Sequence, residues 1–134
     1  MTDYLCTIPT FFGPQGSLSI IEGHTIPFAI ERIFYVFNVQ SDRPRGNHAH
    51  KILQQFLICL HGSLEIEVDD GRSKTKHILN TPSSGVYIPP MHWATEYHFS
   101  PDAVYVVLAD QKYDASDYLY DYSEFLTLVN KHES

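Results

Sequence analysis

Short runs rich in Val, Ile, Tyr and Phe recur about every ten residues along this chain, and Gly, Pro, Asn and Asp separate them. Runs of this length predict β-strands, and no helical periodicity interrupts the series. The predicted strands cover residues 17–22, 31–39, 55–61, 63–69, 73–79, 85–88, 94–99 and 103–109. Consecutive short strands without intervening helices predict an all-β sandwich or barrel.

Three local patterns add detail to this fold. The segment Asp69-Asp70-Gly71-Arg72 contains Asp-Gly between two strand patterns, which predicts a hairpin. Residues 64–68 alternate strictly, so Leu64, Ile66 and Val68 are expected to face the core. The strand pattern ends after residue 109, and residues 117–122 lead into 123–130, where we expect a short C-terminal helix with Ser123 or Asp121 as its N-cap.

Length and charge exclude several classes of protein. A chain of 134 residues suits a single domain, taken here as residues 1–134. The 9 basic and 16 acidic residues give a formal net charge of -7, which argues against binding nucleic acid or an anionic membrane. No signal-like or membrane-spanning apolar segment is present, so we expect a cytoplasmic protein.

A polar segment at residues 41–51 contains two histidines at a spacing of two. If this segment is a strand, His48 and His50 project from the same face. Two adjacent imidazoles suit either metal binding or proton transfer near neutral pH. Four other polar side chains flank the pair, namely Arg43, Arg45, Asn47 and Lys51.

The spacing of His48, His50 and Gln55 resembles the first motif of the cupin superfamily, whose members are small double-sheeted β-barrels. Metal-binding cupins usually have a glutamate at the position of Gln55 and a further histidine near the position of Ala94. Neither ligand is present here, so proton transfer is favoured over a metal site. His92 is the alternative ligand if the register differs by two residues.

The segments 33–37, 44–51, 60–63 and 113–118, in this order, resemble the dTDP-4-oxo-6-deoxyglucose 3,4-ketoisomerases. These metal-free cupins make 3-oxo sugar nucleotides for the aminodeoxyhexoses of bacterial surface glycans, such as O-antigens and S-layer glycans. The resemblance implies a cupin-type double-sheeted antiparallel β-barrel, or jelly roll. It also implies a dTDP-linked keto sugar as substrate, no cofactor, and a homodimer that exchanges N-terminal strands.

The resemblance also implies roles for individual residues. His48 is expected to take the proton from C3 of the sugar, and His50 to move a proton to or from the oxygens. Tyr35 is expected to hydrogen bond the sugar carbonyl or a hydroxyl. Arg45 is expected to neutralise the diphosphate or to hold the sugar. The further phosphate candidates are Arg32, Arg43 and Lys51, and Asn47 is another expected substrate contact. Trp93 is interpreted as either a wall of the substrate site or part of the core.

Three other functions remain compatible with these residues. They are a related sugar-nucleotide 3,5-epimerase, a metal-dependent cupin such as a dioxygenase, and a cupin that binds a sugar nucleotide without catalysis. For the isomerase itself, protonation of C4 from one face gives the galacto-configured product and from the other face the gluco-configured product. The sequence is compatible with both.

Overall fold

The computed structural model describes residues 4–39 and 43–132, and most of them form short antiparallel strands. Ser41 and Asp42, at the start of the polar segment, lie outside the described residues. The strands are β1 Leu5–Thr7, β2 Thr10–Gly13, β3 Gly16–Ser19, β4 Arg32–Val36, β5 Arg45–His50, β6 Gln55–His61, β7 Leu64–Asp69, β8 Lys74–Leu79, β9 Ser84–Ile88, β10 Trp93–Tyr97, β11 Val104–Ala109 and β12 Tyr118–Leu119. One α-helix, α1, spans Tyr122–His132, and short 3₁₀ turns occupy Gly23–Thr25 and Ala115–Asp117.

Two five-stranded sheets face each other and form a double-sheeted barrel. The first sheet has the order β1-β9-β6-β11-β4, and the second has the order β12-β5-β10-β7-β8. Strands β2 and β3 form a separate hairpin, and all strand pairs are antiparallel. The predicted all-β barrel with a short C-terminal helix is therefore confirmed.

The main core lies between the two sheets and is built from alternating residues. On β7, Leu64, Ile66 and Val68 are no more than 1% exposed, as their alternation predicts. Because successive strand residues point to opposite faces, the inner face of each sheet is filled by every second side chain. Other inner-face residues leave an opening at one end of the barrel, where the polar residues of β5 lie.

Apolar segments also cover part of each sheet's outer face. On the first sheet, Ile8 and Ile26 from the N-terminal segment pack against Phe56 and Ile58 of β6. On the second sheet, Phe125 of α1 lies in a cluster with residues of β5, β10 and β12. These coverings explain why several strands are buried on both faces and do not alternate in hydrophobicity.

The predicted hairpin and helix are confirmed in their details. Strands β7 and β8 pair up to Asp69 and Lys74, and the loop between them contains Gly71 at a φ of +94°. Helix α1 begins after Asp121, whose Oδ1 accepts a hydrogen bond from the Glu124 amide at 3.2 Å. Asp121 is therefore the N-cap rather than Ser123.

The strand boundaries differ from the predicted ones at the N-terminal end. Strands β1 and β2 were not predicted, because β1 has only 3 residues and β2 contains two adjacent exposed phenylalanines, Phe11 and Phe12, which give no alternation. The strand expected over residues 31–39 ends at Val36, two residues before Asn38, which adopts a φ of +56°. A residue at positive φ cannot continue a regular strand. In the described part of the chain, no helix is long and apolar enough to span a membrane.

Candidate active site

A polar cavity opens between the two sheets and is lined by residues of the segment singled out from the sequence. Its volume is about 310 Å³. Its lining includes His48, His50, Arg45, Gln55, Glu96 and Tyr118. A neighbouring cleft of about 530 Å³ shares Arg32, His50 and Tyr118 with it. The polar groups therefore converge at one mouth of the barrel, where a ligand has room to bind.

The two histidines of β5 lie side by side in this cavity. The ring centroids of His48 and His50 are 4.8 Å apart, and the rings are nearly perpendicular at 86°. This is the arrangement expected of residues two apart on one strand. His50 is the deeper of the two, with 5% of its surface exposed.

A backbone hydrogen bond determines which nitrogen of His48 can act as a base. Nδ1 of His48 lies 2.9 Å from the carbonyl oxygen of Gly46. A carbonyl oxygen only accepts, so Nδ1 carries the proton and the neutral ring keeps its lone pair on Nε2. Burial lowers the pKa of His48, and this hydrogen bond opposes the shift. The result is an oriented neutral imidazole that can take a proton.

His50 is kept neutral by its surroundings. Burial, then the charges of His48 and Arg32, lower the pKa of His50 to about 3. Its Nε2 atom is buried and has no hydrogen-bond partner among the described residues. A buried polar atom without a partner is costly, so this nitrogen is ready to bond a ligand that enters the cavity.

Tyr118 packs against both histidines and was not among the predicted site residues. Strand β12 pairs with β5 so that Tyr118 is directly opposite His50. The Tyr118 ring lies 4.3 Å from the His50 ring and 5.0 Å from the His48 ring. The carboxylate of Asp117 accepts hydrogen bonds from the amides of Ile52 and Leu53 at 2.9 and 3.1 Å, which ties this segment to the loop that follows β5. The run of tyrosines within residues 113–122 is the sequence feature that could have indicated this part of the site. A strand of two residues is too short to be predicted from alternation.

Two of the predicted phosphate-binding arginines line the cavity. Nε of Arg45 donates a hydrogen bond to the Tyr105 hydroxyl at 3.1 Å. Arg32, on β4 of the facing sheet, has its guanidinium 4.6 Å from the centre of the Phe34 ring. These cations lie on the two walls of the cavity, so its local charge differs from the net charge of the protein.

A β-bulge brings Arg45 into the cavity. On β10, Ala94 is opposite His48 and Glu96 is opposite Arg45, so β5 has one extra residue in this stretch. Gly46 and Asn47 occupy the bulge at φ values of +73° and +59°. Without the extra residue, Arg45 would face away from the histidines, because alternate residues share a face. Glu96 enters the same cavity from β10, and sequence reasoning did not identify it.

Three predicted site residues lie outside this cavity, which corrects their expected place beside the histidines. Tyr35 is 64% exposed on the outer face of β4, because its neighbours Arg32, Phe34 and Val36 fill the inner face. Trp93 lies under α1 at 7% exposure and donates from Nε1 to Oδ1 of Asn47 at 3.0 Å. Both Trp93 and Asn47 therefore belong to the helix-covered side of the second sheet, which leaves core packing as the interpretation of Trp93.

The other predicted substrate contacts lie at the edge of the site. Lys51 follows β5 and is exposed, and Arg43 precedes β5 and is also exposed. Neither residue is among those that line the cavity or the neighbouring cleft. Any contact between these cations and a ligand requires a ligand that extends beyond the cavity.

The positions that hold metal ligands in other cupins are occupied by non-ligands. Gln55 and Ala94 both line the cavity, and Ala94 is opposite His48. His92, the alternative ligand, has both ring nitrogens engaged, Nδ1 by the Pro90 carbonyl at 2.9 Å and Nε2 by the Tyr4 hydroxyl at 3.0 Å. Across residues 4–39 and 43–132, no three His, Cys, Asp or Glu side chains are grouped to hold a metal ion.

Known proteins resemble the chain over nearly its whole length. A TDP-4-oxo-6-deoxy-alpha-D-glucose-3,4-oxoisomerase from Aneurinibacillus thermoaerophilus is 42% identical over 118 residues, which cover 87% of this chain and 85% of the relative. A 3,4-ketoisomerase from Helicobacter canadensis has 41% identity and a TM-score of 0.91, covering 97% of this chain and 99% of its own.

A mutant of the 3,4-ketoisomerase QdtA from Thermoanaerobacterium thermosaccharolyticum, solved in complex with TDP-4-keto-6-deoxyglucose, is similar at 37% identity and a TM-score of 0.90. The match covers 95% of this chain and 93% of that structure. The family model described as "FdtA: WxcM-like, C-terminal" matches residues 1–130. By sequence and by fold, the chain belongs to this FdtA family of WxcM-like proteins.

Proposed function

We propose that this protein is a sugar-nucleotide 3,4-ketoisomerase that converts TDP-4-oxo-6-deoxyglucose into the corresponding 3-oxo sugar nucleotide. The observation that carries this proposal is the pair of neutral imidazoles in the cavity, His48 and His50, 4.8 Å apart. The relatives at 42% and 41% identity are a 3,4-oxoisomerase and a 3,4-ketoisomerase, which supports the same reaction.

The first step is removal of the proton from C3. The C4 carbonyl acidifies this C–H bond, and Nε2 of His48 takes the proton while the electron pair moves toward O4. The product of this step is a 3,4-enediolate, with negative charge on O4. A positioned base of this kind contributes roughly 10²–10⁴-fold to the rate. Because Nδ1 of His48 is held by Gly46, the ring enters the step already oriented.

The second step moves the ketone. The C4 carbon takes a proton from the protonated His48, and the O3–H proton passes through Nε2 of His50 to O4 as the electrons form the C3 carbonyl. One proton leaves each of C3 and O3 and one arrives at each of C4 and O4, so the isomerisation balances without an oxidant. The unpartnered Nε2 of His50 supports this shuttle role.

The diphosphate is held by the arginines of the cavity walls. Arg45 on β5 and Arg32 on β4 bring positive charge from the two facing sheets into the cavity that holds the histidine pair. A guanidinium suits phosphate because its parallel N–H groups match two phosphate oxygens. Lys51 and Arg43 are exposed near the two ends of β5, outside the cavity, and would contact only a part of the nucleotide that extends beyond it.

The protein acts as a homodimer in this proposal. The β2-β3 hairpin and the outer face of β4 expose a group of large apolar side chains. Their exposure is 57–77%, and they are Phe11, Phe12, Leu18, Ile33, Tyr35 and Phe37. Exposed apolar surface of this extent on a protein commonly marks an interface. Sedimentation of the wild type as a dimer and of the Phe12→Glu variant as a monomer would support this assembly, and a monomeric wild type would refute it.

We place the reaction in the cytoplasm, as a step toward deoxysugars of bacterial surface glycans. Cys6 and Cys59 are not joined by a disulfide, and Cys59 is buried as a thiol in β6. Reduced thiols are typical of a reducing compartment.

The decisive experiment is proton NMR of TDP-4-oxo-6-deoxyglucose with the protein in deuterated water. An isomerase moves the ketone to C3, and it places deuterium at C4 wherever the proton on His48 exchanges with the solvent before it is transferred. An epimerase exchanges C3 and C5 and leaves the ketone at C4, and a binding protein perturbs the ligand signals without exchange. Either of these last two outcomes would replace the proposed activity.

A further inference from the structure

Glu96 brings a buried carboxyl group into the same cavity as the histidines. It lies on β10 with 9% of its surface exposed, directly opposite Arg45. Its Oε2 atom has no hydrogen-bond partner among the described residues. Arg45 directs its Nε to Tyr105 instead. A buried carboxyl oxygen without a partner costs free energy that a ligand hydrogen bond would recover.

The position of this carboxyl group is set by Gly46 and Ala94. A Cβ atom on Gly46 would lie 2.2 Å from Oε2 of Glu96, so the carboxyl group packs directly on the Gly46 backbone. That same Gly46 holds Nδ1 of His48 through its carbonyl oxygen. Ala94, opposite His48, has only a methyl group and therefore leaves the space between Glu96 and His48 open. A sugar ring held against His48 thus has the Glu96 carboxyl beside it.

We propose that Glu96 contacts the sugar directly and that its protonated carboxyl group donates a hydrogen bond to O4 as negative charge develops there. This inference rests on the proposed function, because the donor acts on the enediolate intermediate of that reaction. It assigns to Glu96 the role that sequence reasoning gave to Tyr35, whose side chain lies on the outer face of β4. The proton stays on Glu96, and the C3 and O3 protons follow the paths described above.

The surroundings of this carboxyl group favour its protonated form. Burial raises the pKa of Glu96 to about 7, against the opposing influence of its own backbone amide and of the charge of Arg45. A neutral carboxylic acid in an apolar site is a strong hydrogen-bond donor at a developing oxyanion. The titratable or charged groups that share the cavity with Glu96 are Arg32, Arg45, His48, His50, His92, Tyr105 and Tyr118.

The pKa values of these groups predict how kcat/KM depends on pH. The pKa values of His48 and His50 are lowered by burial, so their protonation limits the rate on the acid side. The pKa of Tyr105 is raised to about 12, by burial first and by the charge of Glu96 second. Loss of the Glu96 proton then limits the rate on the alkaline side, and kcat/KM should fall above about pH 7.

Two variants of Glu96 test this role, with one control. Glu96→Gln keeps the shape and an N–H donor, so we expect kcat within about tenfold of wild type and no alkaline fall. Glu96→Met keeps the volume without a donor, so kcat should fall by roughly 100-fold, with a much smaller change in KM. Glu67→Gln removes an acidic side chain from the neighbouring strand β7 and should leave the whole profile unchanged.

The outcomes separate this inference from the proposed function. A wild-type kcat in a folded Glu96→Met variant, or an alkaline fall retained in Glu96→Gln, would overturn the role of Glu96. If circular dichroism shows that Glu96→Met does not fold, the pH profile of kcat/KM for Glu96→Gln tests the role of Glu96 by itself. Failure of the wild type to move the ketone would instead overturn the proposed isomerase activity.

Discussion

Nδ1 of His48 donates a hydrogen bond to the carbonyl oxygen of Gly46, 2.9 Å away and two residues earlier on the same strand. Gly46 can present this carbonyl because it lies in a β-bulge at a φ of +73°, a conformation that favours glycine. The bulge therefore orients the imidazole of His48 and, at the same time, turns Arg45 into the cavity.

Gly46→Ala should destabilise the fold and lower activity. Positive φ alone costs an alanine about 1–2 kcal/mol, and the new Cβ would also meet the Glu96 carboxyl at 2.2 Å. Gly23→Ala is the matched control, since Gly23 has a φ of +53° and nothing within 4 Å of the added Cβ. Urea unfolding should show a larger loss for Gly46→Ala than for Gly23→Ala. Equal losses would mean that the contact with Glu96 has no energetic consequence.

The two histidines should differ in which proton they control. His48→Asn removes the base at C3, so exchange of the C3 proton with deuterated water and transfer of the ketone should both fall by at least about 100-fold. His50→Asn removes the shuttle between O3 and O4, so ketone transfer should fall by more than C3 exchange. NMR measures both rates in one sample. If His50→Asn abolishes C3 exchange while His48→Asn retains it, the two roles are reversed.

Tyr118 should act through its ring rather than its hydroxyl. Its ring centre lies 4.3 Å from that of His50 and 5.0 Å from that of His48. Tyr118→Phe keeps these contacts, so we expect kcat within about threefold of wild type, whereas Tyr118→Ala should lose about tenfold or more because the imidazoles lose their orientation. A large loss of kcat in Tyr118→Phe would show that the hydroxyl itself takes part in the reaction.

The stability of the protein should depend on pH through His50. The pKa of His50 in the folded protein is about 3, below the ordinary value of 6.5. Between these two pH values the unfolded chain therefore binds a proton at His50 and the folded chain does not. Proton binding by the unfolded chain has no effect on stability above pH 6.5. As the pH falls from 6.5 to about 3, it lowers the free energy of unfolding. One such proton corresponds to about 1.4 kcal/mol per pH unit.

Urea unfolding of the wild type and of His50→Asn at several pH values measures this dependence. The difference in unfolding free energy between the two proteins should be constant above pH 6.5. Below pH 6.5 the wild type should lose stability relative to His50→Asn. Comparing the two proteins cancels the opposite dependence of Glu96, whose raised pKa favours the folded state as pH falls below about 7. A difference that stays constant down to pH 4.5 would contradict the buried, neutral state of His50.

The sequence was informative where a pattern is local. Alternation on β7, the Asp-Gly hairpin and the two-residue spacing of His48 and His50 depend only on neighbouring residues, and the structure shows each of them. Strands of two or three residues, such as β12 and β1, are too short to produce a period. Tyr118 was missed for that reason, since its place in the site depends on β12.

Sequence alone determined the all-β fold and the paired histidines, because strand periodicity fixes which side chains share a face. The tertiary structure decided which residues surround that pair. Tyr35 faces outward because β4 fills the barrel with its other side chains, and Glu96 faces inward from a different strand. Those placements depend on strand pairing and on the bulge at Gly46 and Asn47, and a single extra residue there reverses the face on which Arg45 lies.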